Sequence, residues 1–257
     1  MGDDASVAGF YDQLAADYHL IFADWDASMA RQGEALDAMI RTRLGAGPAS
    51  VLDCSCGIGT QAIGLGRCGH RVTGSDISPV AVGRAAREAA LREVRLPAAV
   101  ADMRQLPFAD AAFDVVLCAD NALPHLLTEE DVLAALAEMR RVLRSGGLLV
   151  ISTRPYDEIL ASRPLSAPPQ LARTPGGRAV TFQLWDWHDD GEHYDLEFFQ
   201  LLPDADDWRV TVRRTTYWAL TRRRLTGFVA DAGFIEAEWA APEVSGFFQP
   251  VLSARKR

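Results

Sequence analysis

Gly57 and Gly59, with Ala62 three positions further on, spell G-x-G-x-x-A inside the run SVLDCSCGIGTQA from Ser50 to Ala62. That spacing suits a turn whose backbone comes close to a nucleotide and passes it to the start of a helix, where unpaired N–H groups face the ligand. Asp76 follows Gly59 by 17 positions, a carboxylate placed to accept two ribose hydroxyls. Further on, the segment ADNALPH brings Asp120, Asn121 and His125 close together. These are residue types that order an amine and take a proton from it. Arg154 adds a planar guanidinium fork, which pairs with a carboxylate through two parallel hydrogen bonds.

Such residues need elements to hold them. Apolar spacing in YDQLAADYHLIF and RQGEALDAMIRTRL predicts helix from about Val7 to Leu44, ended by GAGPAS. VLDCSC reads as a first buried strand, TQAIGLGRCG as a helix closed at Gly69, and RVTGSD as a second strand. Ser78 and Pro79 open the next helix as N-cap and first-turn proline. RLPAAVAD and FDVVLCAD are strands three and four. Thr128 to Leu143 is a helix with a capping-box spacing at Thr128 and Asp131, SGG is its stop, and LLVIST is strand five. Strands alternating with helices predict an α/β, doubly wound, mostly parallel sheet, with all three motifs at strand carboxyl ends.

After Tyr156 the pattern changes. RAVTFQLWDWH, HYDLEFFQLL and WRVTVRRTTYWAL alternate apolar and polar residues and are joined by turn-forming DDGE and PDADD. They predict an inserted antiparallel lid of three strands. A helix, TRRRLTGFVADAGF, and two strands, IEAEWA and QPVLSAR, then complete a seven-stranded sheet. The expected division is a helical cap over 1–45, a cofactor-binding core over 46–155, a substrate lid over 156–219, and a return to the core over 220–257.

The 257 residues are 49% hydrophobic, enough for a sizeable core, and no run of about 18 uncharged apolar residues suggests a membrane span. A net charge of −9 argues against nucleic acid as a partner, since phosphate binding needs a concentrated basic surface. The acidic start lacks the features of a signal peptide, and Cys54, Cys56, Cys68 and Cys118 form no C-x-x-C pair. Both point to a cytoplasmic protein with reduced thiols. Met1 to Ser6 formally fits the N-myristoylation pattern, without a basic cluster to support anchoring. The oligomeric state is not specified by sequence.

A glycine turn with a following carboxylate is shared by nicotinamide enzymes and S-adenosylmethionine (SAM) enzymes. The wider set of motifs resembles the class I SAM-dependent methyltransferases, continuously from about residue 50 to 154. DCSCGIG is similar to their first motif, with Ser55 at the usual first glycine beside Gly57. SDIS resembles the second, ADMRQLPF the next, FDVVLCADNALPHL the fourth, and LRSGGLLVIS the strand-five signature. The resemblance implies SAM as cofactor and S-adenosylhomocysteine as product, with no metal. Asp76 would then hold the ribose, Ile77 would pack on adenine, and Asp102 would reach the adenine amino group beside Met103.

A narrower resemblance is to glycine N-methyltransferases and bacterial glycine/sarcosine N-methyltransferases, carried by CADNALPHL, ISTRPYDEIL and YHLIFADWDASMARQ. It implies that Tyr18 and Trp25 close over SAM, that Arg31 pairs with its methionine carboxylate, and that Ser55 and Ala119 make close backbone contacts. It further implies that Asn121 and Arg154 bind a substrate carboxylate, with Tyr156 and Tyr217 near the acceptor. Asp120, Asn121 and His125 are the candidates for catalysis. Two positions depart from the pattern: Asp120 replaces a glycine, and Pro155 replaces an asparagine. The expected activity is N-methylation of an amino acid or amine such as glycine or sarcosine. Another small carboxylate or secondary metabolite is the alternative, as is a protein that binds SAM without transferring methyl. Other roles also stand beside the catalytic ones: His125 bonding backbone, Asp120 capping a turn, and Arg154 holding the insertion in place.

Overall fold

The computed structural model describes residues 6–257 except 175 and 206, so most of the myristoylation-type start lies outside the described residues. The predicted N-terminal helix is broken into three pieces. Helix α1 (Val7–Leu14) is capped by the Ser6 side chain, a 3₁₀ turn covers Tyr18–Ile21, and α2 (Trp25–Leu44) is capped by Asp24 accepting from the Ala27 N–H. Asp17 and Asp24 both hold non-helical backbone, as short polar residues at helix starts do.

The core then alternates as expected: β1 (Ser50–Asp53), α3 (Thr60–Arg67), β2 (Arg71–Asp76), α4 (Pro79–Leu91), β3 (Ala98–Val100) and β4 (Phe113–Cys118). A 3₁₀ turn (Leu123–His125) leads to α5 (Glu129–Val142) and β5 (Leu143–Ser152). The SGG segment does not separate α5 from its strand. Leu143 already pairs with Phe113, and a bulge carrying Gly146 at φ +74° precedes the Leu148–Val115 pair.

Next come α6 (Tyr156–Ser162) and the strands β6 (Ser166–Thr174), β7 (Gly177–Trp187), β8 (His193–Asp204) and β9 (Asp207–Trp218). Finally α7 (Arg222–Asp231), β10 (Phe234–Ala240), the short α8 (Pro242–Ser245) and β11 (Val251–Lys256) rejoin the main sheet. That sheet runs β10-β11-β5-β4-β1-β2-β3, with β11 running opposite to the other six strands. Alternate residues of the central strands feed two cores. Val51, Val115 and Leu148 pack under α2, α3 and α4, while Leu52, Val116 and Leu149 pack under α5 and α7.

Two glycines set the crossing of α2 over α3. A Cβ on Gly33 would meet the Gly64 backbone at 2.6 Å, and a Cβ on Gly64 would meet the Met29 carbonyl oxygen at 2.6 Å. This close approach fixes α3, whose N-cap is Gly59 of the ligand turn.

The lid has four strands, not three, in the order β6-β7-β8-β9. β6 contains Pro168 and Pro169, at an irregularity between its pairs Ala167–Gln183 and Gln170–Thr181. Prolines carry no N–H and are tolerated at sheet edges and bulges, so the strand lacks the usual pattern. Among the described residues no helix is long and apolar enough to cross a membrane.

Candidate active site

The carboxyl ends of β1, β2 and β4 surround a cavity of about 310 Å³, closed on one side by α1 and the Tyr18–Ile21 turn. Gly57 and Gly59 take left-handed φ values of +50° and +97°, which a side chain would strain. Asp76 faces this turn. Its Oδ2 accepts the Gly57 N–H at 2.8 Å and its Oδ1 the Ser78 N–H at 2.9 Å. Burial pushes its pKa up, and these backbone donors oppose the shift. Ser55, Ile77, Met103 and Ala119 line the same cavity. Asp102 lines it as well, with both oxygens held by the Arg104 guanidinium at 2.6–3.1 Å. Burial raises the Asp102 pKa, but Arg104 outweighs it and holds the carboxyl below its ordinary value.

Two residues expected against the cofactor lie elsewhere. Trp25 is buried behind the wall, where its Nε1 donates to Thr60 Oγ1 at 2.9 Å, with the Arg84 and Arg92 guanidiniums 5.4 and 4.9 Å from its ring. It positions the first residue of α3 and does not itself line the cavity. Arg31 is exposed and lines neither cavity described here. The buried stripe of α2 is Met29, Gln32, Gly33 and Leu36. Arg31 stands roughly 200° around the helix from Met29 at 3.6 residues per turn. Thr60 and Gln61 take their places in the wall, with Gln61 Nε2 donating to Gln32 Oε1 at 2.8 Å.

Asp120, Tyr11 and Tyr18 line both this cavity and a second of about 400 Å³ beneath the lid. Asp120 and Asn121 are consecutive left-handed residues, at φ +55° and +65°, a strained pair that its surroundings hold in place. Ser152 accepts the Asp120 N–H on its Oγ at 2.8 Å and the Asn121 N–H on its carbonyl at 3.1 Å. The Asp120 carboxylate accepts the Tyr18 hydroxyl at 3.0 Å and Gln249 Nε2 at 3.2 Å. Ser152 in turn donates to Gln249 Oε1 at 2.9 Å, closing the ring. Burial raises the Asp120 pKa against the Tyr18 bond, the charge of Arg154 and the Gln249 bond. Asn121 Oδ1 accepts the Arg154 N–H at 3.0 Å, while its Nδ2 is buried with no partner.

His125 lines the first cavity, but both ring nitrogens are engaged, by Tyr11 OH at 2.8 Å and Thr215 Oγ1 at 3.3 Å. Its ring centroid lies 4.1 Å from that of Tyr217. Burial, then the charge of Arg154, pushes its pKa down to about 3. So weak a base does not take a proton from an ammonium at neutral pH, and the structure makes His125 a neutral support.

The second cavity lies between the N-terminal segment and the inner face of the lid, with Phe10, Leu14, Phe22, Phe198 and Phe248 in its walls. Arg154 stands in it half-buried, 5.1 Å from the Trp185 ring and 5.0 Å from that of Tyr217. Its Nη1 donates to Tyr194 OH at 2.9 Å and its Nη2 to Gln183 Oε1 at 3.2 Å. Among the described residues no carboxylate lies within ion-pair distance of it. Arg154 therefore both ties the lid down and presents a cation with no direct ion-pair partner, the Asp120 carboxylate acting on it only through space. Tyr217 lines the cavity, its pKa pushed up to about 12 by burial. Tyr156 does not. It is fully buried one layer back, with its hydroxyl 3.1 Å from that of Tyr194. Tyr11 and Gln249 are the wall residues that the motifs missed. Each comes from a segment distant in the chain, and neither carries a local signal.

Residues 51–147 match the family described as methyltransferase domain. The glycine/sarcosine N-methyltransferase of Parasynechococcus marenigrum is 38% identical over 138 residues, which are 53% of this chain and 48% of that protein. The chain spans about half the length of the glycine/sarcosine N-methyltransferases it matches. Among solved structures, SAM-bound CalS10, an amino pentose methyltransferase from Micromonospora echinaspora, has a TM-score of 0.72 at 21% identity, over 90% of this chain and 92% of that one. The sugar N-methyltransferase KedS8 from Streptoalloteichus has a TM-score of 0.73 at 21% identity, over 100% and 96%. At these identities the likeness to the solved structures is one of fold.

Proposed function

We propose that the chain is a class I methyltransferase that methylates a nitrogen of a small molecule bearing an anionic group, a reading supported by the methyltransferase domain over residues 51–147 and by the fold around it. The cofactor is SAM, which supplies a sulfonium-activated methyl group when bound. The first cavity suits it. The two left-handed glycines bring backbone close, and each Asp76 oxygen, bonded once from within the fold, keeps a lone pair for a ribose hydroxyl.

The observation that carries the reading is Arg154, a cation in the second cavity without a carboxylate at ion-pair distance among the described residues, facing the same space as Asp120. Arg154 pairs with the acceptor's anion through its planar fork. Asp120, at the junction of the two cavities, accepts N–H bonds from the amine and takes its proton, burial having made it more basic than an ordinary carboxylate. Tyr18 and Gln249 hold that carboxylate in one orientation. Glycine and sarcosine are the acceptors named for the curated relatives. A cavity of about 400 Å³ walled by phenylalanines favours a larger amino acid with an apolar body.

Incubation with SAM carrying a trideuterated methyl group tests this, using glycine, sarcosine, larger amino acids and their decarboxylated amines, with products read by mass. The expected result is N-linked label in an acidic acceptor, and little in the matching amine that lacks the acid. Label on oxygen or carbon, or equal labelling of acid and amine, would overturn the reading.

A further inference from the structure

Only Phe182 of the lid's outer face also reaches the wall of the acceptor cavity, between Thr181 and Gln183. Strand alternation turns Thr181, Gln183 and Trp185 of β7 toward the acceptor cavity, and so places Val180, Phe182 and Leu184 on the opposite face. Phe182 stacks on its register partner Phe199 at 4.7 Å with 6° between the rings. Leu171, Leu184 and Val210 around them are 55%, 40% and 54% exposed. α1 and the two 3₁₀ turns meet the lid on the cavity side, and α7 touches the other side only at the end of β9, where Phe228 packs on Trp218.

Apart from the Glu197–Arg214 ion pair and His188, which lies 3.2 Å from Asp195, the charges on this outer face fall into two groups. At one end Arg173 of β6 lies directly opposite Arg178 of β7, and at the other Asp186 of β7 lies directly opposite Asp195 of β8. Like charges directly opposite each other destabilise an isolated sheet. Arg173, Arg178 and Asp186 make no ion pair among the described residues. Phe182 stands four residues from both Arg178 and Asp186, about 13 Å each way at 3.3 Å per residue.

We propose that this face binds a second copy of the chain, forming a two-fold dimer centred on the Phe182–Phe199 stack. A two-fold axis across the strands at Phe182 turns one sheet over the other. It lays the arginine end of each copy on the aspartate end of its partner, so both like-charge pairs are neutralised in one step. Sheets packed face to face sit about 10 Å apart with their inward side chains interdigitated, which covers the apolar band between the charged ends. Such an interface is isologous, and each contact occurs twice. It also stiffens the sheet whose other face carries Trp185, Tyr194 and Tyr217 around Arg154.

Sedimentation equilibrium on the full chain, over a wide range of concentrations, tests this. A dimer is expected. Arg178→Asp alone and Asp186→Arg alone are each expected to raise its dissociation constant at least about tenfold. Mixing the two variants in equal amounts is expected to restore association, because only the mixed pair sets opposite charges against each other at both ends. Unchanged circular dichroism and melting would show that the variants fold. A wild type monomeric into the sub-millimolar range, or a mixture no tighter than its components, would overturn the proposal. So would a monomer that sediments with anionic phospholipid vesicles, since the face would then take a lipid surface.

Discussion

Replacing Asp120 by asparagine preserves the side chain's shape and removes its charge. The carboxylate accepts from Tyr18 at 3.0 Å and from Gln249 at 3.2 Å. Gln249 cannot turn its own oxygen to the new amide without losing the Ser152 hydroxyl that it accepts at 2.9 Å. The substituted side chain therefore keeps its oxygen on Gln249 and turns its amide N–H to the Tyr18 hydroxyl, which becomes the acceptor, so what is lost is the charge presented to an incoming amine. A hydrogen bond to a charged acceptor contributes about 1.5–3 kcal/mol. The expected fall in kcat/KM is then roughly 10- to 150-fold, at about 1.4 kcal/mol per factor of ten. Initial rates of label transfer from SAM to the acceptor identified in the panel, measured from acid to alkaline pH, give this number directly. Stability moves the other way. The folded pKa of Asp120 is raised above its unfolded value, so the wild type is most stable with respect to this group below the unfolded pKa. That contribution is lost as pH rises through the folded pKa. The melting temperature of Asp120→Asn minus that of the wild type is expected to climb with pH. A variant within threefold of wild-type kcat/KM, with a flat melting difference, would refute the role assigned to this carboxylate.

Arg154→Ala is expected to raise KM for an acidic acceptor, with a loss in kcat/KM of about 2–5 kcal/mol, or roughly 30- to 5,000-fold. The decarboxylated analogue should lose far less, and equal losses on both would mean that Arg154 only ties down the lid. Gly64→Ala forces a Cβ to within 2.6 Å of the Met29 carbonyl oxygen and 3.0 Å of Gly33 Cα. Overpacking of this kind costs about 1–3 kcal/mol, a drop of roughly 2–12 °C in melting temperature at this chain length. Calorimetry reads the drop, and SAM affinity should weaken with it, because α3 carries the Gly59 turn.

The central strands are readable because each is an apolar run buried on both faces, and Asp76 because its partners Gly57 and Ser78 lie within a short span of chain. β6 is not, since two prolines and few β-branched residues give it no strand pattern, and its pairing depends on β7 as a neighbour. The site divides in the same way. Asp120, Asn121 and Arg154 fall in one neighbourhood because β4 and β5 are adjacent parallel strands. Gln249 reaches that neighbourhood only through the register of β11, 129 positions from Asp120. Resemblance to a cap places Arg31 and Trp25 against the cofactor, but the phase of α2 decides which side chains face inward. That phase is set by the contact of Gly33 with Gly64.

The position of β11 between β5 and β10 has a consequence for how the molecule assembles. Val251 pairs with Ser152 across 99 positions, with all four lid strands in between, whereas β8 and β9 close a hairpin at Asp204 and Asp207. Contacts over short spans form early, and pairing over long spans is slow. The lid can therefore complete its own ladder while β5 still presents an open edge, a surface prone to misassociation. A nascent chain halted before residue 249 lacks one of the two side chains that hold the Asp120 carboxylate, so the site is completed only in the final step of sheet closure.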